Sequence, residues 1–571
     1  MIHFLRVFPT AAVVSLSLAV PAQAQSGFGA YLAGRQALYS SDFDAAATYY
    51  GRALARDRDN SEVLENFVLA QVAMGRADKA LPVARIIEDR GERSQVAHMA
   101  TAALLFETGD FDGYLARDLE AVGIGPLVDG LLTGWAHMGK GDRAAAMAQF
   151  DDVAAQNGLR LFAQYHKALA LASDGAFEAA EEVFTADNGG LSRMSRRGAI
   201  ARAQILSQLG RNDTALDILS EAFGGGFDPG LTAIADQLAA GGTLPFTTVT
   251  SAQDGAGEVF FTIGQALKGE ASDDYTLIYA RMAVYLRPDH IDGLLLSADL
   301  LDGLKQFDLA VSTFRKVPAS SPEHHAAELG RADALRRSEK PDLAIEVLER
   351  LAKDYPTLPL VHSSLGDLYR QQEDYAGAVQ AYDKALEFTE EGAGAQWFLL
   401  YARGISHERL KDWEKADADF RAALKLNPDQ PQVLNYLGYS LVERQEKLDE
   451  ALEMIERAVA GRPDSGYIVD SLGWVLYRLG RYEEAVGHME KAVELMPVDP
   501  VVNDHLGDVF WAVGRYREAE FQWKRALSFI DPDDTDGEAD PERIRRKLEV
   551  GLDEVLAEEG APPLKVADDD R

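Results

Sequence analysis

The chain of 571 residues contains no cysteine. That absence removes disulfides, thiolate metal sites, cysteine nucleophiles and any lipid-bearing cysteine behind a leader segment. Basic charge is short as well: 57 lysines and arginines stand against 92 aspartates and glutamates, a formal charge of −35. A phosphate backbone is repelled by such a field, so nucleic acid is not an expected partner. Beyond the first residues no apolar run is long enough to span a bilayer. H-E-x-x-H, G-x-S-x-G and G-x-G-x-x-G are all missing. No catalytic residue, metal ligand or cofactor site is therefore expected. What the chain does have is apolar content, 47% of its residues, which is ample for buried cores.

The run Val7 to Val20 is apolar apart from Pro9, Thr10, Ser15 and Ser17, and Pro21-Ala22-Gln23-Ala24 follows it. Ala22 and Ala24 have the A-x-A spacing of a processing site, so residues 1–24 are expected to be a signal peptide cleaved after Ala24. A permanent N-terminal anchor is the alternative; the run falls short of the roughly 20 residues that cross a bilayer. The expected mature protein is exported, periplasmic in a two-membrane bacterium, without a transmembrane segment and not a lipoprotein. Without disulfides its stability must come from packing alone.

An internal repeat organises most of the remainder. Its clearest unit reads His362-x2-Leu365-Gly366-x2-Tyr369, Asp374-Tyr375, Ala378-x3-Tyr382 and Ala385-Leu386. The skeleton returns at Leu437-Gly438, at Leu472-Gly473 with Tyr482, and at Leu506-Gly507 with Tyr516. The alanine that opens each second helix recurs as Ala310, Ala344, Ala378, Ala416, Ala451, Ala485 and Ala519, with Ala46, Ala80, Ala146, Ala180 and Ala215 in nearly the same register upstream. A period of about 34 residues fits two helices of a dozen residues and a short turn. Small residues (Gly366 with Ala378, Gly438 with Ala451, Gly473 with Ala485, Gly507 with Ala519) belong where the two axes cross closely, and large ones where they interdigitate. One hairpin cannot cover both of its apolar faces, so each packs on the next.

These residues resemble the tetratricopeptide repeat family, whose pattern is W-x2-L-G-x2-Y, A-x3-F, A and P over 34 positions. The resemblance implies an all-α, right-handed α-solenoid of roughly 13–14 hairpins with a C-terminal capping helix. It is strong from Asp289 to Ile530 and moderate from Gly27 to Phe223, where the unit at Gly109-Asp110-Phe111 carries Tyr114 in place of the small residue. Between them 224–257 is too glycine-rich for a regular hairpin. The expected organisation is a degenerate N-terminal solenoid (25–223), a hinge or loop (224–257), a C-terminal solenoid (258–530), and an acidic linker, capping helix and loose tail (531–571).

Three near-motifs dissolve on inspection. Gly134-x4-Gly139-Lys140 opens like a phosphate loop, yet Gly141 stands where a magnesium-binding hydroxyl is required and no strand precedes it. The acidic run Asp531 to Gly537 has the wrong offsets for a calcium loop. His324-His325 with Glu328 lacks metal-ligand spacing and reads as exposed residues at a helix start.

In stacked hairpins the first helices line the inner surface, and residues one turn apart on them face the groove. This register selects Asn435 and Tyr439, Asp470 with Trp474 and Tyr477, and Asp504 and Asp508 with Trp511 as partner-binding residues. Aromatic platforms beside hydrogen-bonding groups suit an extended peptide, and their acidity suits a basic or neutral one; packing between repeats is the alternative for the two tryptophans. Some family members hold carboxylates with a clamp of lysine, arginine and asparagine; the matching positions here are mainly aspartate and aromatic, which disfavours that partner class. The expected function is a non-enzymatic exported scaffold or adaptor that binds a protein or peptide. It resembles periplasmic members from Gram-negative bacteria that take part in envelope assembly or deliver substrates to proteases. Glycan or polysaccharide binding is the alternative, and a hydrolase in 224–257 a third. Partner identity and oligomeric state stay open.

Overall fold

The computed structural model describes residues 26–186, 195–224, 227–390, 392–531 and 539–564. Residues 1–25 with the expected cleavage residues Ala22 and Ala24, Gly225 and Gly226, 532–538 and 565–571 lie outside the described residues. Among the described residues there are helices in sequence-adjacent pairs and no strand.

The alanine register explains the pairing. Every alanine from Ala46 to Ala519 in that series is buried. On the facing helix a glycine takes the large filler of its partner: a Cβ built on Gly366 would lie 2.7 Å from Tyr382, on Gly473 2.7 Å from Met489, and on Gly507 2.4 Å from Trp523. Gly438 meets Ile455 in the same way at 2.7 Å. The turn that reverses the chain needs a left-handed residue, supplied by Gly480 and Gly514 but by Glu373, Lys411 and Gln445 in three neighbouring hairpins. Asp42, Asp110, Asp142 and Asp374 then start the second helix, each accepting a hydrogen bond from the backbone N–H three residues on. The weak repeat at Tyr114 has a second helix of only Phe111–Leu115. Gly134 and Gly139 of the false phosphate loop pack against Phe150 and Phe111.

The chain forms two compact units, 1–347 and 348–571. In the first, hairpins run to Asn212–Phe223, and the glycine-rich stretch holds the helix Pro229–Ala239, a non-helical run, and the opening turns of the helix Ala252–Leu267. The run is stitched down. Ser207 and Gln208 hold the backbone of Leu244 at 2.9 and 2.6 Å, Gln204 accepts from Thr247 and Thr248 at 3.0 Å, and Asn212 donates to Gly242 at 2.8 Å. Composition pointed to a hinge or loop here; the run is non-helical, and side chains of Arg196–Gln208 and of Asn212 satisfy its backbone.

Beyond this strap Ala252–Leu267 and Asp273–Leu286 fold back onto four earlier helices, Ser61–Ala73, Gln95–Glu107, Pro126–Gly139 and Arg160–Ser173. All four are first helices of their hairpins, so the returning pair fills the inner wall of its own unit. Gly255 permits this, since a Cβ there would meet the Trp135 ring at 2.1 Å. Arg281 donates to the Ala73 carbonyl at 2.9 Å, Tyr285 to Glu107 at 2.6 Å and Tyr165 to Glu258 at 2.9 Å. Arg197 ties the centre together, bound to Glu258 at 2.7 Å and Asp292 at 2.8 Å. Burial favours the neutral acid of Glu258, but Arg197 and His290 together outweigh it and hold the carboxyl far below the usual range.

The second unit contains five regular hairpins from Pro359–Gln371 to Tyr516–Phe529, closed by Pro541–Val550 and Leu552–Glu558.

A candidate partner-binding face

The first helices of the second unit are Pro359–Gln371, Gln396–Arg409, Pro431–Glu443, Gly466–Arg478 and Pro500–Ala512. The eight residues selected from the repeat register all lie on the last three, but most are not open. Trp474 is buried in a three-ring stack, 3.9 Å from the centroid of His505 and 4.8 Å from that of Tyr477, with interplanar angles of 12° in both pairs. Its indole N–H donates to Glu443 at 2.8 Å. Asp470 is buried beneath, accepting from His505 Nδ1 at 3.0 Å. Burial disfavours the His505 imidazolium, but the Asp470 carboxylate overcomes it and raises the pKa. Tyr477 is buried in the same layer, and burial raises its phenol well above the usual value.

Asp504 and Asp508 are buried around a single ammonium. Lys547 Nζ lies 2.9 Å from both oxygens of Asp504 and 2.6 Å from Asp508 Oδ1. Burial pushes the Asp504 carboxyl up against the pull of that lysine. Trp511 is half-buried and donates to Asp553 at 2.8 Å. The expectation of an open wall is thus corrected for Asp470, Trp474, Tyr477, Asp504 and Asp508. The rings and carboxylates that looked like a ligand platform are satisfied by the next repeat and by the closing helices. Asn435 and Tyr439 remain half-buried, and Asn435 Oδ1 has no hydrogen-bond partner among the described residues.

A different row is open. Leu360, Phe398 and Tyr467 are 57%, 41% and 65% exposed. Each lies six residues before the crossing glycine of its helix, Gly366, Gly404 and Gly473, so they share one register position. Gln432 and Val501 stand at the same offset in the remaining two repeats. Nothing in the repeat pattern requires an apolar residue there. That offset was the available signal, and a reading centred on the middle of the helices passes over it.

The His324-His325 pair does not match its expectation throughout: His325 is buried with Nδ1 2.9 Å from the Pro322 carbonyl, and Glu328 is buried against Arg331. No cluster of metal-ligating side chains occurs among the described residues. No helix there is long and apolar enough to cross a membrane.

Residues 131–190, 295–359, 329–396, 401–466 and 443–500 match the family model described as tetratricopeptide repeat. TPR repeat-containing protein PA4667 of Pseudomonas aeruginosa is 29% identical over 158 residues, 27% of this chain and 26% of that protein. Human protein O-mannosyl-transferase TMTC1 is 25% identical over 167 residues, 29% of this chain and 19% of its own length. The chain thus spans about a quarter or less of these curated relatives. Among solved structures, the APC/C hetero-tetramer Cut9-Hcn1 aligns over 92% of this chain and 96% of that one, at 14% identity and a TM-score of 0.38. A tetratricopeptide repeat protein from Parabacteroides merdae covers 46% of this chain and 98% of its own, at 16% identity and a TM-score of 0.37. Overlays that loose add nothing to the assignment. It rests on the repeat register, the hairpins built from it and the family model, and on those grounds the chain carries tetratricopeptide repeats.

Proposed function

We propose that the chain is a non-enzymatic scaffold or adaptor whose second unit holds a segment of another protein along its first helices. The observation that carries this reading is the row Leu360, Phe398 and Tyr467, three large apolar side chains left in water at one register position. Scattered exposed leucines are ordinary, but a row in register is a feature of interaction surfaces. Asn435, whose Oδ1 has no partner among the described residues, and Tyr439 lie on Pro431–Glu443, between the helices of Phe398 and Tyr467, and would add hydrogen bonding beside the apolar row. Net charge of −35 favours a basic or neutral segment. The leader-like first residues support export, and the periplasm of a Gram-negative bacterium is the compartment proposed.

A photo-crosslinking residue at position 467 in the native cell is expected to trap one protein partner. Replacing Leu360 and Phe398 with serine should abolish that adduct while circular dichroism stays unchanged. Retention on peptidoglycan or exopolysaccharide without a protein adduct would transfer the assignment to the glycan reading. Turnover of a substrate by the purified protein would remove the scaffold altogether.

A further inference from the structure

The compartment that encloses Lys547 is unusual for a helix that merely covers the end of a stack. The closing helix Pro541–Val550 buries only Ile544 and Lys547. Lys547 is wholly enclosed, 0% exposed at its side chain, and its three ammonium hydrogens are matched by three carboxylate oxygens of Asp504 and Asp508. The Trp523 ring lies 5.7 Å from the same nitrogen, and its indole N–H donates to Asp508 Oδ1 at 2.9 Å. At the mouth, Gly551 with φ of 87° brings the turn after the helix onto Trp511, so closely that a Cβ would lie 2.5 Å from the ring. Aspartates with an aromatic wall and a fitted mouth therefore form a complete receptor for an alkylammonium.

Apolar packing and charge together hold the closing pair: Ile544 and Leu552 are fully buried in the core of the unit. Arg543 stands 3.6 Å from Asp508 Oδ2, and Arg543 and Arg546 pair with Glu559 and Glu558 of the following helix. A purely apolar cap gains nothing by enclosing a lysine, because desolvation offsets the attraction. Two carboxylates placed to receive one, however, recognise that group specifically. We propose that the Asp504–Asp508 compartment is the receptor for a lysine carried on a basic helix of the partner protein, and that Pro541–Val550 is its resident ligand, exchanged when the partner arrives. The inference rests on the reading of the second unit as a protein-binding scaffold and identifies the partner's chemistry. Exchange of one lysine for another leaves no buried carboxylate unpaired, and the partner helix must also offer an apolar side chain in place of the buried Ile544.

The test uses the full chain and a fluorescein-labelled peptide with the sequence of residues 541–559. Lys547→Glu places a like charge between the aspartates and expels the resident helix. This variant is expected to bind the peptide at least about tenfold more tightly than the wild type, by removal of the internal competitor. Replacing the peptide's residue equivalent to Lys547 with alanine should abolish binding. In the wild type, saturating peptide should speed amide hydrogen exchange across 541–558 at least about tenfold, while the hairpins from 431 to 529 keep their protection. If Lys547→Glu loses helical signal, the wild-type exchange experiment alone decides. Equal affinity for the two proteins, absence of binding, binding that ignores the peptide lysine, or unchanged exchange at saturation overturns the proposal. Crosslinking from position 467 that persists through such a result leaves the scaffold reading intact, and its loss with peptide exchange preserved does the reverse.

Discussion

Two inner walls built from the same repeat differ in what covers them. In the first unit the wall receives a helical pair from later in its own chain, and the fit is steric: Gly255 lies against Trp135, and Ala256, Val259 and Phe260 are fully buried. In the second unit the wall is closed only at its far end, by one lysine between two aspartates, and carries an exposed apolar row at its other repeats. A repeat that specifies how hairpins stack leaves open whether the surface they enclose becomes core or stays available. Sequence outside the repeat settles that, through one glycine in one unit and one lysine in the other.

The contrast can be broken most sharply at Gly255. Gly255→Leu drives a side chain into Trp135 and is expected to cost about 3 kcal/mol. In urea unfolding followed by circular dichroism and hydrogen exchange, the loss should fall on residues 26–347 and leave 359–529 as protected as before. An equal loss in both units would remove the distinction between a filled wall and an available one.

Acidity should separate the units next. His166 is buried with Nδ1 accepting the Trp135 indole N–H at 3.1 Å, and burial pushes its pKa down to about 4. Because the unfolded chain takes up this proton near pH 6.5 and the folded one does not, the first unit loses stability as pH falls from about 6.5 to about 4, by roughly 3 kcal/mol. His166→Gln keeps an acceptor without a titration, so it should flatten that slope in urea melts. His505 has the opposite sign: its pKa is raised in the fold, so its contribution is complete below about pH 6.5 and fades as pH rises through the raised value. His407, lowered by burial, opposes it within the same unit. The His505 effect should therefore be read as the difference between wild type and His505→Gln.

Smaller effects sharpen the register itself. Ala485 is fully buried, and Ala485→Leu is expected to cost on the order of 2 kcal/mol by overpacking; an unchanged melting temperature would count against the hairpin crossing there. Glu373 holds a left-handed turn at φ of 61°. Glu373→Gly should stabilise the second unit by about 0.5 kcal/mol, relief of backbone strain exceeding the added freedom of the unfolded chain.

The stacking was legible in the sequence because packing is local: Tyr382 meets Gly366 within one period. What covers the walls was not, because the covering groups come from far along the chain. Lys547 reaches Asp504 across 43 residues, and Arg281 reaches Ala73 across 208. Trp474 misled for a nearer reason. An aromatic ring on a first helix is open only if the next repeat leaves it so, and here the following repeat offers His505, a flat ring at stacking distance. Glycine content in 224–257 marks two different things, a non-helical run and a close helix approach. Gly255 and Gly257 lie inside a helix, where they allow close approach rather than a bend.

The return of Ala252–Leu267 and Asp273–Leu286 also dictates an order of assembly. On emergence from the ribosome, each hairpin of residues 359–529 can dock on its predecessor as soon as it is complete. The earlier hairpins must wait for residue 286 before their surface is sealed. High contact order slows folding, so 26–347 should fold as one cooperative block only after residue 286 has emerged, and 359–529 stepwise as each hairpin appears.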